Sequence, residues 1–162
     1  MKLLAFDTSN QALSLAILED EHLLAQTTLN IKKNHSITLM PAIDFLMNSL
    51  DMKPTDLDRI VVAQGPGSYT GLRIAVATAK TLAHTLKIEL VGVSSLQALV
   101  PEQAEGLVIP VMDARRNNVY AGFYQSGQAV RPEAHLPLAE VLEMAGAANQ
   151  SVTFVGETAT SA

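Results

Sequence analysis

One pattern that occurs twice constrains what this sequence can fold into. An apolar run at residues 3–6 ends at Asp7, a polar turn follows, and a second apolar run covers residues 13–18. The same plan returns between residues 107 and 124, where the aspartate is Asp113. A duplicated strand–aspartate–turn–strand unit is what a two-lobed phosphate-clamping fold requires, with one hairpin from each lobe facing a cleft. The sequence therefore predicts an α/β chain built from two related lobes.

A short polar and acidic stretch at residues 101–106 separates two apolar regions. It predicts an N-terminal lobe at residues 1–101 and the start of a second lobe at residues 102–162. Because the second region has only about 60 residues, less than a lobe of layered strands and helices needs, we expect that lobe to be incomplete.

Hydrophobic periodicity predicts the elements of each lobe. For the first lobe it predicts strands at 3–6, 13–18, 23–29, 60–63 and 90–93, with helices after His35, at 72–86 and from 94. For the second lobe it predicts strands at 107–112, 119–124 and 152–155 and a helix at 138–148, which follows a loop. Ser36 is the expected cap of the helix after His35, and Pro41 is expected to bend that helix.

Two of the predicted helices carry more small or apolar side chains than one core needs. The helix after His35 has a core stripe at i, i+4, i+7 and i+11 together with a second apolar edge. The stripe comprises Leu39, Ile43, Leu46 and Leu50, and the edge comprises Ile37, Met40 and Met47. The helix at 72–86 has small side chains every fourth residue, which allow another helix to approach closely. These are Ala75, Ala79 and Ala83.

Charge and composition exclude several classes of function. A net charge of −5, from 16 acidic and 11 basic residues, argues against a protein whose main task is to neutralise nucleic-acid phosphates. The basic pairs Lys32–Lys33 and Arg115–Arg116 are expected in solvated turns. The sequence has no cysteine, and its four histidines lack the spacing of a zinc site. Without a signal peptide or a long apolar run, a soluble intracellular protein is expected.

Two polar segments invite a chemical interpretation. Asp7, Thr8 and Ser9 follow a buried strand, so they either hold a hydrated Mg²⁺ and phosphates or form a purely structural turn. The sequence favours neither. The loop Gly-Pro-Gly-Ser-Tyr-Thr-Gly at residues 65–71 leads from a strand into a helix, a suitable place for an anion. It lacks the lysine of a P-loop and the dinucleotide glycine pattern, which favours a structural or docking role.

Several segments, in this order, closely resemble the TsaB (YeaZ) family. They are LAFDTSNQALSLAIL, HSITLMPAIDFLM, VVAQGPGSYTGLRIAVATAKTLA, VGVSSLQAL and VMDARRNNVYAGFY. The resemblance covers nearly the whole chain and implies the actin, Hsp70 and sugar-kinase-like fold, which is ribonuclease H-like and two-lobed. Members of the family are usually longer, which again implies a truncated second lobe.

The resemblance implies a non-catalytic subunit of a bacterial tRNA modification complex in the cytoplasm. In that complex TsaD transfers a threonylcarbamoyl group to the adenosine next to the anticodon of tRNAs that read ANN codons, and the ATPase TsaE assists. Catalytic relatives have V-N-H-L-E-G-H where this chain has residues 93–99, and their two histidines bind a metal. Ser95 and Leu99 stand at those positions, so no metal site is expected. No cofactor is expected for the chain itself, and nucleotide binding by the complex stays open.

The resemblance also implies an interface with TsaD formed by the helices after His35 and after Gly71, with tRNA contacted mainly through the complex. The expected interface residues are Ile37, Met40, Met47, Tyr69, Arg73, Val76, Ala79 and Ala83. In the absence of the partner, the same surface is expected to close a homodimer. Asp7, Thr8 and Ser9 would then be a vestigial phosphate hairpin. The alternatives are a stand-alone ATPase or kinase of this superfamily and, more distantly, a metallopeptidase.

Overall fold

A computed structural model describes residues 1–31 and 34–158, so Lys32–Lys33 lies outside the described residues. The chain packs as two compact units, the first at Met1–Ser94 and the second starting at Ser95. The division into lobes after residue 101 stays a prediction. No helix in the described part of the chain is both long and apolar enough to cross a membrane.

The first unit is a five-stranded sheet with two helices. Its elements are β1 Lys2–Asp7, β2 Ala12–Glu19, β3 His22–Asn30, α1 His35–Ser49, β4 Arg59–Ala63, α2 Tyr69–Leu86 and β5 Glu89–Val93. The strands lie in the order β3-β2-β1-β4-β5, with β1 antiparallel to β2 and parallel to β4. Alternate side chains of β1 and β2 pack beneath the helices, as period-2 burial requires. These include Leu4, Phe6, Leu13, Leu15 and Ile17.

The second unit repeats this order in a smaller sheet. Its elements are β6 Leu107–Asp113, β7 Asn118–Gln125, β8 Gln128–Pro137, α3 Leu138–Gly146 and β9 Val152–Gly156. The order is β8-β7-β6-β9, and β6 is antiparallel to β7 and parallel to β9. Strand for strand, β6, β7, β8 and β9 correspond to β1, β2, β3 and β4. The duplicated unit in the sequence is therefore a duplicated sheet topology.

Three local predictions are wrong. The segment predicted as a loop before α3 forms β8, an edge strand whose exposed residues carry no alternating apolar signal. The helix expected from residue 94 is only the short 3₁₀ turn Gln97–Leu99. Ser36 does not cap α1, because the helix already begins at His35 after Asn34, which makes no side-chain capping hydrogen bond. Pro41 lies inside α1 without ending it.

Both helices of the first unit start at the same end of the sheet. β3 runs parallel to β1 because two antiparallel pairings separate them, and β4 pairs with β1 directly in parallel. The C-terminal ends of β3 and β4 therefore lie at the same end of the sheet, and α1 and α2 follow them there. The turn between β1 and β2 lies at that end. His35 Nε2 donates to the Asn10 carbonyl at 3.2 Å, and the Ser68 N–H donates to the Ser9 carbonyl at 2.7 Å. One hairpin turn thus anchors the start of each helix.

Candidate functional site

The side chains of the β1–β2 turn make their hydrogen bonds within the protein. Asp7 Oδ1 accepts hydrogen bonds from the Ser9 N–H at 2.8 Å and from the Ser9 hydroxyl at 2.5 Å. The Thr8 hydroxyl donates to the Gly71 carbonyl at 2.5 Å. Thr8 and Ser9 are buried. Both hydroxyls that the sequence offered for phosphate binding are therefore engaged and shielded from solvent.

The glycine-rich loop closes over this turn through direct backbone contact. A Cβ on Gly71 would overlap the Thr8 carbonyl oxygen, and one on Gly67 would overlap the Ser9 carbonyl oxygen. Ser68 caps α2, because its hydroxyl accepts the Gly71 N–H at 3.3 Å. These contacts support the structural alternative for both segments. The turn and the loop together form a closed junction between β1 and α2, which we call the glycine junction.

An exposed, partly apolar surface lies on the outer sides of α1 and α2. Ile37 is 70% exposed, Met40 47% and Tyr69 75%. The Arg73 guanidinium lies 5.6 Å from the centre of the Tyr69 ring, and Val76 is partly exposed one turn further on. A guanidinium over an aromatic face is a favourable cation–π arrangement. We call these five side chains the α1–α2 patch.

Phe45 is a further exposed apolar residue of α1, which the interface residues expected from the sequence do not include. It is 70% exposed and lies eight residues after Ile37, about 80° further around the helix and on the side away from the buried residues of α1. That spacing is the signal that could have found it. A large aromatic ring left in solvent is a frequent mark of an interaction surface.

Three residues expected at the interface lie instead in the core of the first unit. Met47 is 5% exposed, Ala79 0% and Ala83 6%, and all three pack in one cluster with the helix-facing side chains of the sheet. The alanines do allow a close approach, but the element that approaches is the chain's own sheet, chiefly β4. The expectation that Met47, Ala79 and Ala83 lie on an accessible face is therefore wrong.

The equivalent turn in the second unit is open. Asp113 Oδ1 accepts the Arg115 N–H at 2.9 Å, the same i to i+2 bond that Asp7 makes with Ser9. The Asp113 N–H in turn donates to Glu157 Oε2 at 2.7 Å. Arg115 and Arg116 are exposed in this turn, as predicted. The two equivalent turns thus share the hydrogen bond in which the N–H two residues later donates to the aspartate. They differ in exposure, since the first turn is buried under the glycine-rich loop and the second is open to solvent.

The positions of the expected missing metal ligands fall at the beginning of the second unit. Ser95 is fully buried, and Leu99 is partly buried at the end of the 3₁₀ turn. A hydroxyl and an isobutyl group do not replace two imidazoles as ligands of a transition metal. Within residues 1–31 and 34–158, no group of three or more histidine, cysteine, aspartate or glutamate side chains is placed to hold a metal ion.

A family model, a curated relative and a solved structure all match this chain, and their names belong to related proteins. A family model described as TsaD, tRNA N6-adenosine threonylcarbamoyltransferase, matches residues 22–160. A Bacillus subtilis protein named tRNA threonylcarbamoyladenosine biosynthesis protein TsaB is 46% identical across 96% of this chain and 71% of its own length. The structure of YeaZ from Pseudomonas aeruginosa matches with a TM-score of 0.76 and 34% identity, over 84% of this chain and 67% of that one.

A more distant likeness concerns the fold alone. The activator of the 2-hydroxyisocaproyl-CoA dehydratase from Clostridium difficile, solved with bound ADPNP, matches with a TM-score of 0.53 at 14% identity. It covers 88% of this chain, which spans 53% of that protein. Together with the repeated sheet order, these likenesses confirm the predicted α/β fold class, actin-like and ribonuclease H-like.

Proposed function

The chain belongs to the TsaB (YeaZ) family of tRNA threonylcarbamoyladenosine biosynthesis proteins and matches the TsaD family model. From that premise we propose that it serves as the non-catalytic subunit of the modifying complex. Its role is to bind a TsaD-type catalytic partner, which transfers the threonylcarbamoyl group to the adenosine next to the anticodon. We further infer that TsaE joins this assembly and that it works in the cytoplasm.

The closed glycine junction is the observation that carries this proposal. A catalytic or nucleotide-binding turn needs free hydroxyls and amides directed at its ligand. Here the Thr8 hydroxyl donates its hydrogen bond to the Gly71 carbonyl, and the Ser9 hydroxyl donates to the Asp7 carboxylate. Opening the junction would remove backbone contacts on which both β1 and α2 depend. A turn of this kind supports an architectural role better than a chemical one.

The α1–α2 patch is the surface that we propose for the TsaD-type partner. It contains three large side chains with about half or more of their surface in solvent, rimmed by a guanidinium. Aromatic rings, methionine and arginine are the residue types enriched at protein interfaces. The same patch is available to a second copy of the chain when the partner is absent. Since α1 and α2 start beside one hairpin turn, Ile37 and Tyr69 lie near the same end of the unit.

We expect Met40→Glu to weaken binding to the TsaD-type partner about 10-fold or more, because a carboxylate would be desolvated in the apolar centre of the interface. Stability should change by less than about 0.5 kcal/mol, since Met40 is exposed on a helix. Isothermal titration against the purified partner measures the first effect and thermal unfolding the second. Leu142→Glu, at a similarly exposed residue on α3, is the matched control and should bind normally. Equal affinities for both variants would contradict the interface.

Reconstitution tests the function itself. The assay combines tRNA with the TsaD-type partner, TsaE and the enzyme that forms the threonylcarbamoyl adenylate, in the presence and in the absence of this chain. Mass spectrometry of the nucleosides measures the modified adenosine. We expect product only when the chain is present. Equal product in its absence would refute the proposal. The alternative of a stand-alone ATPase or kinase requires ATP turnover by the chain alone, which the same preparation can measure.

A further inference from the structure

The turn that joins β6 to β7 has an unusual backbone. Arg115, Arg116 and Asn117 have φ angles of 68°, 55° and 60°, so three consecutive residues with side chains adopt the left-handed conformation. Single residues of this kind occur in many turns, but side chains disfavour a run of them. The carboxylates of Asp113 and Glu157 brace the turn, each by accepting a backbone N–H.

The braced turn leaves its donors unused. The N–H groups of Arg116 and Asn117 donate to no acceptor in the described part of the chain, whereas the Asn118 N–H donates to the Arg115 carbonyl at 3.0 Å. Neither guanidinium of Arg115 or Arg116 has a carboxylate partner among the described residues. Among the described residues, two backbone N–H groups without an acceptor and two arginines without a carboxylate partner thus belong to one exposed turn, the Arg115–Asn117 tip.

The other three arginines of the chain differ in this respect. Arg59 forms an ion pair with Glu89 at 2.6 Å, Arg73 lies over the Tyr69 ring, and Arg131 lies 5.9 Å from the centre of the Phe123 ring. Only the pair at this tip has no such neighbour within residues 1–31 and 34–158. The two guanidiniums are therefore exposed without an ion pair among the described residues, although the carboxylates of Asp113 and Glu157 brace the same turn.

We propose that the Arg115–Asn117 tip is a phosphate contact for the backbone of the tRNA, an inference that rests on the proposed function. Guanidiniums and exposed N–H groups are the donors that bind phosphate oxygens without reading sequence. The chain's net charge of −5 opposes general RNA binding, so a contact of this kind must be local. The carboxylates of Asp113 and Glu157 hold the backbone of the turn in place before the RNA arrives, which lowers the entropy cost of ordering that backbone on binding.

The test measures tRNA affinity of the complex between this chain and its TsaD-type partner, across a range of salt concentrations. We expect R115Q/R116Q to weaken binding about 10-fold at low salt and to reduce the slope of log K against log salt by about 2, one for each lost phosphate contact. R131Q removes one arginine charge from the same unit at a site away from the tip, and it should leave both quantities nearly unchanged. Unchanged affinity and slope in the double variant would overturn the proposal.

Two further readouts separate this inference from the proposed function. Co-purification with the partner reports whether the complex forms. If the R115Q/R116Q complex forms, modifies tRNA and binds tRNA with normal affinity, the phosphate contact is overturned and the proposed function is not. Weaker partner binding in the double variant, with unchanged tRNA affinity of the complex that still forms, would also overturn the phosphate contact and identify an acidic protein surface as the ligand. If millimolar inorganic phosphate displaced bound tRNA from the complex as effectively as unlabelled tRNA does, the tip would be a site for free anions. That result would also contradict the proposal.

Discussion

Replacing Gly71 by alanine is expected to lower the free energy of unfolding by about 3 kcal/mol, because one added methyl group cannot be accommodated at the glycine junction. Its Cβ would overlap the carbonyl oxygen of Thr8, which belongs to the backbone and has no rotamer to change. The strand and the helix would have to separate, and the hydrogen bond from the Thr8 hydroxyl would be lost with them. Chemical denaturation monitored by circular dichroism measures this loss.

Gly146→Ala is the matched control for that experiment. Gly146 is the last residue of α3, and an added Cβ there meets nothing within 4 Å. Alanine is the better helix former, so stability should stay constant or rise slightly. A G71A protein as stable as G146A would mean that the junction is looser than its contacts indicate, and would contradict a closed turn.

Ala79→Arg is expected to lower the free energy of unfolding by about 4 kcal/mol or more. Ala79 is fully buried between α2 and the sheet, where an arginine has neither space nor a partner for its charge. Native domains are stable by only about 5–15 kcal/mol, so a loss of this size removes between about a quarter and most of that stability. Soluble yield and thermal unfolding measure the effect.

Ala77→Arg provides the comparison on the same helix. Ala77 is exposed two residues earlier, and arginine is a good helix former at such a site. Its thermal unfolding should differ little from that of the unaltered chain. If A79R instead remained folded and lost only its partner, Ala79 would lie on the interface after all, contrary to its burial.

The sequence was informative about strands and topology because the sheets obey short-range rules. A run of apolar residues ending at Asp7 and another ending at Asp113 predicted matching hairpins, and both exist with the same strand order. Core strands such as β4 and β6 are continuous apolar runs, which few other structures explain. β8 was missed because an edge strand pairs on one side only, and its exposed residues include two prolines and two charged side chains.

The candidate site was harder to predict, since periodicity shows which residues share a side of a helix but not what that side meets. Ala79 and Ala83 had the spacing of a close contact, and the contact is with the chain's own sheet. Phe45 was missed because it belongs neither to the core stripe of α1 nor to its second apolar edge. The engagement of Thr8 with Gly71 joins residues 63 positions apart, and no local pattern carries that information.

The divergence of the two equivalent turns bears on how freely each can change over evolution. At Thr8 and Ser9, any new side chain must fit among packed backbone, so most substitutions there are filtered by folding alone. At positions 115 and 116 the side chains lie in solvent, so folding restricts the residue mainly through the left-handed backbone, and a binding partner adds a separate restriction on the side chain. A repeated architecture thus separates two selective pressures that a single turn would have to satisfy at once.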